Sequence, residues 1–248
     1  MPSFQSDSVE IAYEVTGEGA PVLLIHGFAS NARVNWHGTM WVKTLVAAGH
    51  RVIAYDNRGH GESGKLYDPA AYCAAAMAED GRRLLDHLEI STADVIGYSM
   101  GARLAALLAI HHPARVRRAV LGGLAANMIH GLAGAEAIAQ GLEAETLEAI
   151  ADPAARGFRV FAEQTGSDLA ALAACMRGQR QAILPEELAR IACPVLVVAG
   201  SEDEIAGPVE PLVAVVPGAR GLVLPGRDHM KSVGDRRFKE AVVSFLGE

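Results

Sequence analysis

A serine hydroxyl attacks a carbonyl at neutral pH only when an imidazole takes its proton and a carboxylate holds that imidazole in the right tautomer. The chain has residues for each role. Ser99 lies in Gly97-Tyr98-Ser99-Met100-Gly101, a Gly-x-Ser-x-Gly pattern. An apolar run at 95–98 precedes it, and an alanine- and leucine-rich stretch of helical character follows from Met100. Together they read as a strand, a one-residue corner and a helix, with glycines where Cβ atoms would collide. Such a corner pushes the hydroxyl out at the strand end. It also sets a helix N-terminus, with its N–H groups and partial positive charge, beneath an oxyanion. Among 26 glycines the pentapeptide alone carries little weight, so the strand before it and the helix after it single out Ser99.

Nine histidines compete for the role of base. His37, His50, His60, His87, His111, His112 and His130 fall in expected helices, helix ends or exposed loops, with no strand to aim them at Ser99. His26 follows a strand but precedes glycine, in a loop suited to oxyanion contacts. His229 stands five residues past Leu224, at the end of a late strand, and is the expected base. For the acid, Asp203 follows an apolar run at 194–198 through a glycine turn, with Glu202 and Glu204 beside it and Asp228 next to the histidine. Neighbouring side chains on an extended loop point apart, which weighs against Asp228.

These residues need a scaffold that brings distant loops together. Alternation at 9–15 predicts an edge hairpin strand, a continuous apolar run at 21–25 predicts a strand covered on both faces, and 51–55, 116–121, 194–198 and 221–224 read as further strands. Helical spacing appears at 36–48, 69–88, 209–215 and 233–246, besides the helix after Ser99. Strand and helix alternate at the spacing of βαβ units, so the expected class is α/β, a mostly parallel central sheet flanked by helices. Loops leaving the carboxyl ends of parallel strands gather along one edge. His26-Gly27-Phe28, Asp56, Ser99, Asp203 and His229 all fall in such loops. The rhythm breaks after Gly122-Gly123, and up to residue 192 short helices replace strands. The expected organisation is a core of 1–122 and 193–248, with a helical insertion and return helix at 123–192.

Half the residues are hydrophobic and 21% are charged, an ordinary globular composition. A net charge of −7 argues against non-specific binding to nucleic acid or anionic membrane, both of which need a basic surface. Three cysteines, Cys73, Cys175 and Cys193, are far apart and without metal-ligand spacing, which suits buried free thiols in a reducing compartment. No basic start with an apolar run opens the chain, and no stretch approaches the roughly 20 apolar residues of a membrane span. The expectation is a soluble cytoplasmic protein with no stable membrane insertion, no metal and no cofactor. None of these features bears on the oligomeric state.

The order Ser…Asp…His, the glycine-flanked corner, the early His26-Gly27-Phe28 and the run Asp56-Asn-Arg-Gly-His-Gly-Glu-Ser63 together resemble the α/β-hydrolase superfamily. The resemblance covers the chain apart from the inserted helices. It implies Ser99 as nucleophile, Asp203 as acid, His229 as base, and the Phe28 and Met100 N–H groups as the oxyanion hole. It also implies that the helices of 123–192 form a lid and that the 56–63 loop is structural. Ala102 departs from the pattern, since many relatives have a third glycine there. The implied activity is hydrolysis of a small-molecule carboxylic ester through an acyl-serine. The alternatives are C–C bond or enol-lactone hydrolysis of aromatic catabolism, cofactor-free perhydrolysis, or a non-catalytic ligand-binding relative. Serine at the corner, in place of aspartate, separates the chain from the dehalogenase and epoxide-hydrolase branches. The insertion is rich in Ala, Leu, Ile and Met, with Phe158 and Phe161 its only aromatics, which suits short or medium apolar acyl groups. Arg156, Arg159 and Arg177 are candidate ligands for a substrate carboxylate.

Overall fold

Side chains alternate across a strand, so a strand that is apolar at every position must be covered on both faces. Val22 and Leu24 belong to one buried cluster, while Leu23 and Ile25 belong to another on the opposite face. The same division separates Ile96 and Tyr98 from Val95, and Val120 from Ala119 and Leu121. Two hydrophobic cores therefore sandwich one sheet.

The computed structural model describes residues 1–131, 134–178 and 182–248. Its strands are β1 (Ser3–Ser6), β2 (Val9–Thr16), β3 (Ala20–Ile25), β4 (His50–Tyr55), β5 (Ala93–Tyr98), β6 (Val116–Gly122), β7 (Val195–Gly200) and β8 (Arg220–Leu224). They form one sheet in the order β1-β2-β4-β3-β5-β6-β7-β8. β1 and β2 pair antiparallel and β2 joins β4 antiparallel; all other pairs are parallel. Helices α1 (Trp41–Ala47), α2 (Ala74–His87) and α3 (Met100–His111) cross between strands of the first part. Between β6 and β7 come α4 (Ala126–His130), α5 (Ala135–Glu143), α6 (Pro153–Gln164), α7 (Leu169–Arg177) and α8 (Pro185–Leu188). The chain ends with α9 (Glu210–Val215), α10 (His229–Ser232) and α11 (Arg236–Leu246). Residues 132–133 and 179–181 of the expected insertion lie outside the described residues. No helix among the described residues is long and apolar enough to cross a membrane.

Several expected elements divide or shift. The helix expected at 36–48 divides at Met40, which adopts a left-handed conformation with φ +68°, into a wide helical turn over Arg33–His37 and α1. The helix expected at 69–88 breaks at Cys73, whose ψ of 128° is extended, into a tight turn over Pro69–Tyr72 and α2. β2 is not an edge strand; β1, too short to show a pattern, takes the edge beyond it. None of the three cysteines is in a disulfide, but only Cys175 is buried, with Cys73 and Cys193 half-buried.

The register positions the site. Ile25 pairs with Tyr55 and Gly97, Tyr98 with Gly122, and Gly200 with Leu224, so these strands end along one edge. The chain leaves β3 for β4 on one side and reaches β5 on the other, and at such a switch point the following loops diverge and leave a crevice.

One buried ion pair ties the antiparallel corner to this edge. Arg58 donates to both oxygens of Asp80 at 2.7 Å, and its third nitrogen donates to the Ala71 carbonyl at 2.8 Å. The Ser6 hydroxyl donates to the same carboxylate at 2.5 Å, linking β1 to α2. Both side chains are at most 6% exposed, so removing one partner strands the other's charge in the core. Asp80→Ala is expected to lower folding stability by about 3–5 kcal/mol, read as a reduced urea midpoint.

Candidate active site

Backbone crowding builds the Ser99 corner. A Cβ on Gly97 would lie 2.1 Å from the Gly101 carbonyl oxygen, and one on Gly101 would lie 1.9 Å from that of Ile25. Only glycine at both positions lets α3 turn back under β5 and press against the end of β3. Ser99 itself sits at φ +55° and ψ −115°, outside the relaxed regions for a side-chain-bearing residue. Its N–H donates to Gly122 O at 2.7 Å, and its carbonyl accepts from Ala102 N at 2.9 Å. The residue is half-buried, and Met100 opens the helix directly after it.

The loop after β3 passes over this corner. A Cβ on Gly27 would stand 3.3 Å from the Ser99 Cβ. His26 braces the loop with both ring nitrogens. Nε2 accepts from Asn57 N at 2.9 Å, so the proton resides on Nδ1, which donates to Gly27 O at 2.7 Å. His26 is wholly buried, and burial pushes its pKa down, against the opposing pull of Asp56 and the Gly27 carbonyl. Asp56 in turn accepts from Ala32 N at 2.7 Å and Glu62 N at 2.8 Å, while Ser63 Oγ donates to Asp56 O at 2.6 Å. The 56–63 loop thus buttresses the site through hydrogen bonds to backbone.

Asp203 and His229 lie in contact. His229 Nδ1 lies 2.9 and 3.0 Å from the two carboxylate oxygens of Asp203, whose side chain is fully buried. The carboxylate accepts the Nδ1 proton, which leaves the Nε2 lone pair available in the neutral ring. Asp203 also accepts from Ala206 N at 2.9 Å, which fixes its orientation. The His229 ring lies 5.3 Å from that of Tyr98, the residue before Ser99, so imidazole and serine corner share one locality. The competitors sort themselves by partner. Asp228 caps α10 through Lys231 N at 2.8 Å, and Glu202 and Glu204 are exposed. His229 itself opens the short α10 and does not lie in an open loop.

Other expectations change. Arg159 donates to Glu163 and to the carbonyls of Gly141, Leu142 and Ala144, while Arg177 pairs with Glu136 and Glu143. Both arginines thus hold the inserted helices together. His60, expected in an exposed loop, is fully buried, with ring centroids 5.3 Å from His26 and 5.8 Å from Phe28. Sequence reasoning also missed contacts from the insertion. Phe158 of α6 packs edge-on against Phe28 at 5.8 Å, and the Thr165 hydroxyl lies 2.9 Å from the Ala29 carbonyl oxygen. No local pattern signals such pairs, because their partners are more than a hundred residues away in sequence.

Residues 20–152 match the family described as alpha/beta hydrolase fold. The chain is 35% identical over 216 residues to 3-oxoadipate enol-lactonase 2 of Acinetobacter baylyi, covering 81% of this chain and 78% of that protein. The chain belongs to the alpha/beta hydrolase family. It is also 39% identical over 119 residues to a non-heme chloroperoxidase of Kitasatospora aureofaciens, covering 46% of this chain and 40% of that one. Several curated relatives are matched over only 38–43% of their length. Among solved structures, a hydrolase from Pseudomonas aeruginosa superposes with a TM-score of 0.78 at 29% identity, covering 100% of this chain and 98% of that one.

The state of His26 gives a pH prediction. The folded imidazole resists protonation, whereas the unfolded one takes a proton near its ordinary 6.5. Protons therefore favour the unfolded chain below about 6.5, and stability falls as pH drops through that value. Urea midpoints from pH 7.5 to 5.5 are expected to show this fall, and His26→Asn to flatten it.

Proposed function

We propose that the chain is a serine hydrolase of carboxylic esters, with Ser99 as nucleophile, His229 as base and Asp203 as the orienting acid. The observation that carries the reading is the Asp203–His229 pair beside a strained, glycine-flanked serine. His229 Nε2 accepts the Ser99 proton as Oγ attacks the acyl carbon. The Phe28 and Met100 N–H groups receive the tetrahedral oxyanion, each such donor contributing about 3–4 kcal/mol to the transition state. Collapse of the intermediate expels the alcohol, which takes the proton from His229. Water, deprotonated by the same imidazole, then releases the acid from the acyl-serine.

In this reading residues 1–122 and 193–248 are the catalytic core and 123–192 the lid. The ring of Phe158 against Phe28 and the apolar insertion favour small to medium, mainly apolar acyl groups. A lactone is a cyclic ester opened by the same steps, and the likeness to an enol-lactonase over 81% of the chain favours it as a second substrate class.

A fluorophosphonate probe and a chain-length series of p-nitrophenyl esters, from acetate upward, test the proposal. Ser99→Ala is expected to abolish labelling and to lower kcat at least about 10³-fold while the protein stays folded. Folded wild-type protein that resists the probe, or hydrolysis that survives Ser99→Ala, would sink it. The ratio of kcat/KM for an enol-lactone to that for a p-nitrophenyl ester decides between the two substrate classes.

A further inference from the structure

The stretch before His229 is tied to β7 through Glu202 N, which donates to Arg227 O at 3.0 Å, and two side chains reach His229 itself, Asp203 being only one of them. Asp203 takes the imidazole. The backbone is held by Tyr98, whose hydroxyl donates to the His229 carbonyl at 2.5 Å across 131 positions of sequence. α10 is a single turn of four residues, so it has little rigidity of its own.

Tyr98 is seated in a slot shaped for its ring. A Cβ on Gly122 would stand 3.0 Å from the ring, and one on Gly123 only 2.6 Å. Phe238 of α11 flanks it at 6.5 Å, and the His229 ring lies tilted against it at 40°. Burial, reinforced by the nearby charge of Asp203 and opposed by a side-chain contact with Ser232, pushes the Tyr98 phenol well above its ordinary value, so it remains a proton donor. Gly122 also accepts from Ser99 N, so one pair of strand ends holds both the nucleophile and the ring beside it.

We infer that Tyr98 is a positioning residue for the reaction: its hydroxyl, by holding the His229 carbonyl, sets where the imidazole stands relative to Ser99. The inference rests on the proposed roles of Ser99 and His229. Asp203 fixes the ring's tautomer and tilt, while Tyr98 fixes the height of the backbone that carries it. The span from nucleophile to base then depends on a rigid side chain adjacent to the serine, together with the tie of Arg227 to Glu202 N. Proton transfer depends steeply on that span, because a misplacement of about 1 Å costs of the order of a hundredfold in rate.

Tyr98→Phe keeps the ring and its packing and removes only the hydroxyl. Its Tm is expected within about 3 °C of wild type. With p-nitrophenyl acetate, kcat should fall about tenfold with KM unchanged within about twofold. The deciding measurement places the same substitution in a His229→Ala background. There the backbone carbonyl and its hydrogen bond remain but the imidazole is gone, so Tyr98→Phe should cause no further loss of residual rate. An unchanged kcat in Tyr98→Phe, or an equal fall in both backgrounds, overturns the inference; the second result marks a purely structural role. Hydrolysis that survives His229→Ala overturns the triad itself. A loss in His229→Ala without any effect of Tyr98→Phe overturns only the role given to Tyr98.

Discussion

Three stretches of backbone meet at the serine corner more closely than any side chain permits. The ends of β3 and β5 and the first turn of α3 lie so near that Cβ atoms on Gly97 and Gly101 would fall within 2.1 Å of carbonyl oxygens. This contact sets the height of α3 beneath the sheet and keeps Ser99 at a positive φ. It also brings the loop after β3 over the serine, since Gly27 has room for no Cβ without crowding it. The strain at Ser99 persists because strand pairing on both sides of β5 and the core contacts of α3 over-determine its position.

Two histidines near this corner show how surroundings divide one chemistry into different tasks. His26 is fully buried, with both ring nitrogens engaged by backbone, and is kept neutral by desolvation. Its lone pair is already committed, so it can brace a loop but cannot accept a proton from a substrate. His229 is 15% exposed on its side chain and gives only Nδ1 to a carboxylate. The difference lies in partners, since the residues are chemically identical. The buried acids divide in the same way: Asp80 neutralises Arg58, Asp56 ties two backbone amides, and Asp203 faces an imidazole.

The inserted helices are joined to the loop after β3. Phe158 rests on Phe28, and Thr165 reaches the carbonyl of Ala29, a residue that itself holds a left-handed turn at φ +57°. The loop that carries Phe28 is thus gripped from below by His26 and from above by α6. The arginines of the insertion, Arg159 and Arg177, hold its helices to one another.

Much of this was legible in the chain of letters. Apolar runs bounded by turn residues marked β3, β7 and the last residues of β4, β5 and β6, because a stretch covered on both faces can carry almost no polar residue. The Gly97–Gly101 spacing marked the corner, because close backbone approach tolerates no other residue type. The choice of Asp203 over Glu202, Glu204 and Asp228 was not settled by spacing; it came from likeness to a family, and geometry separates the four only through their partners. The burial of His60, the division of the helices at Met40 and Cys73, the reach of Tyr98 to His229 and the grip of α6 on Phe28 were decided by tertiary structure alone. Periodicity records which face of an element is buried, but which distant group lies against that face depends on strand order and register, and these exist only once the sheet has closed.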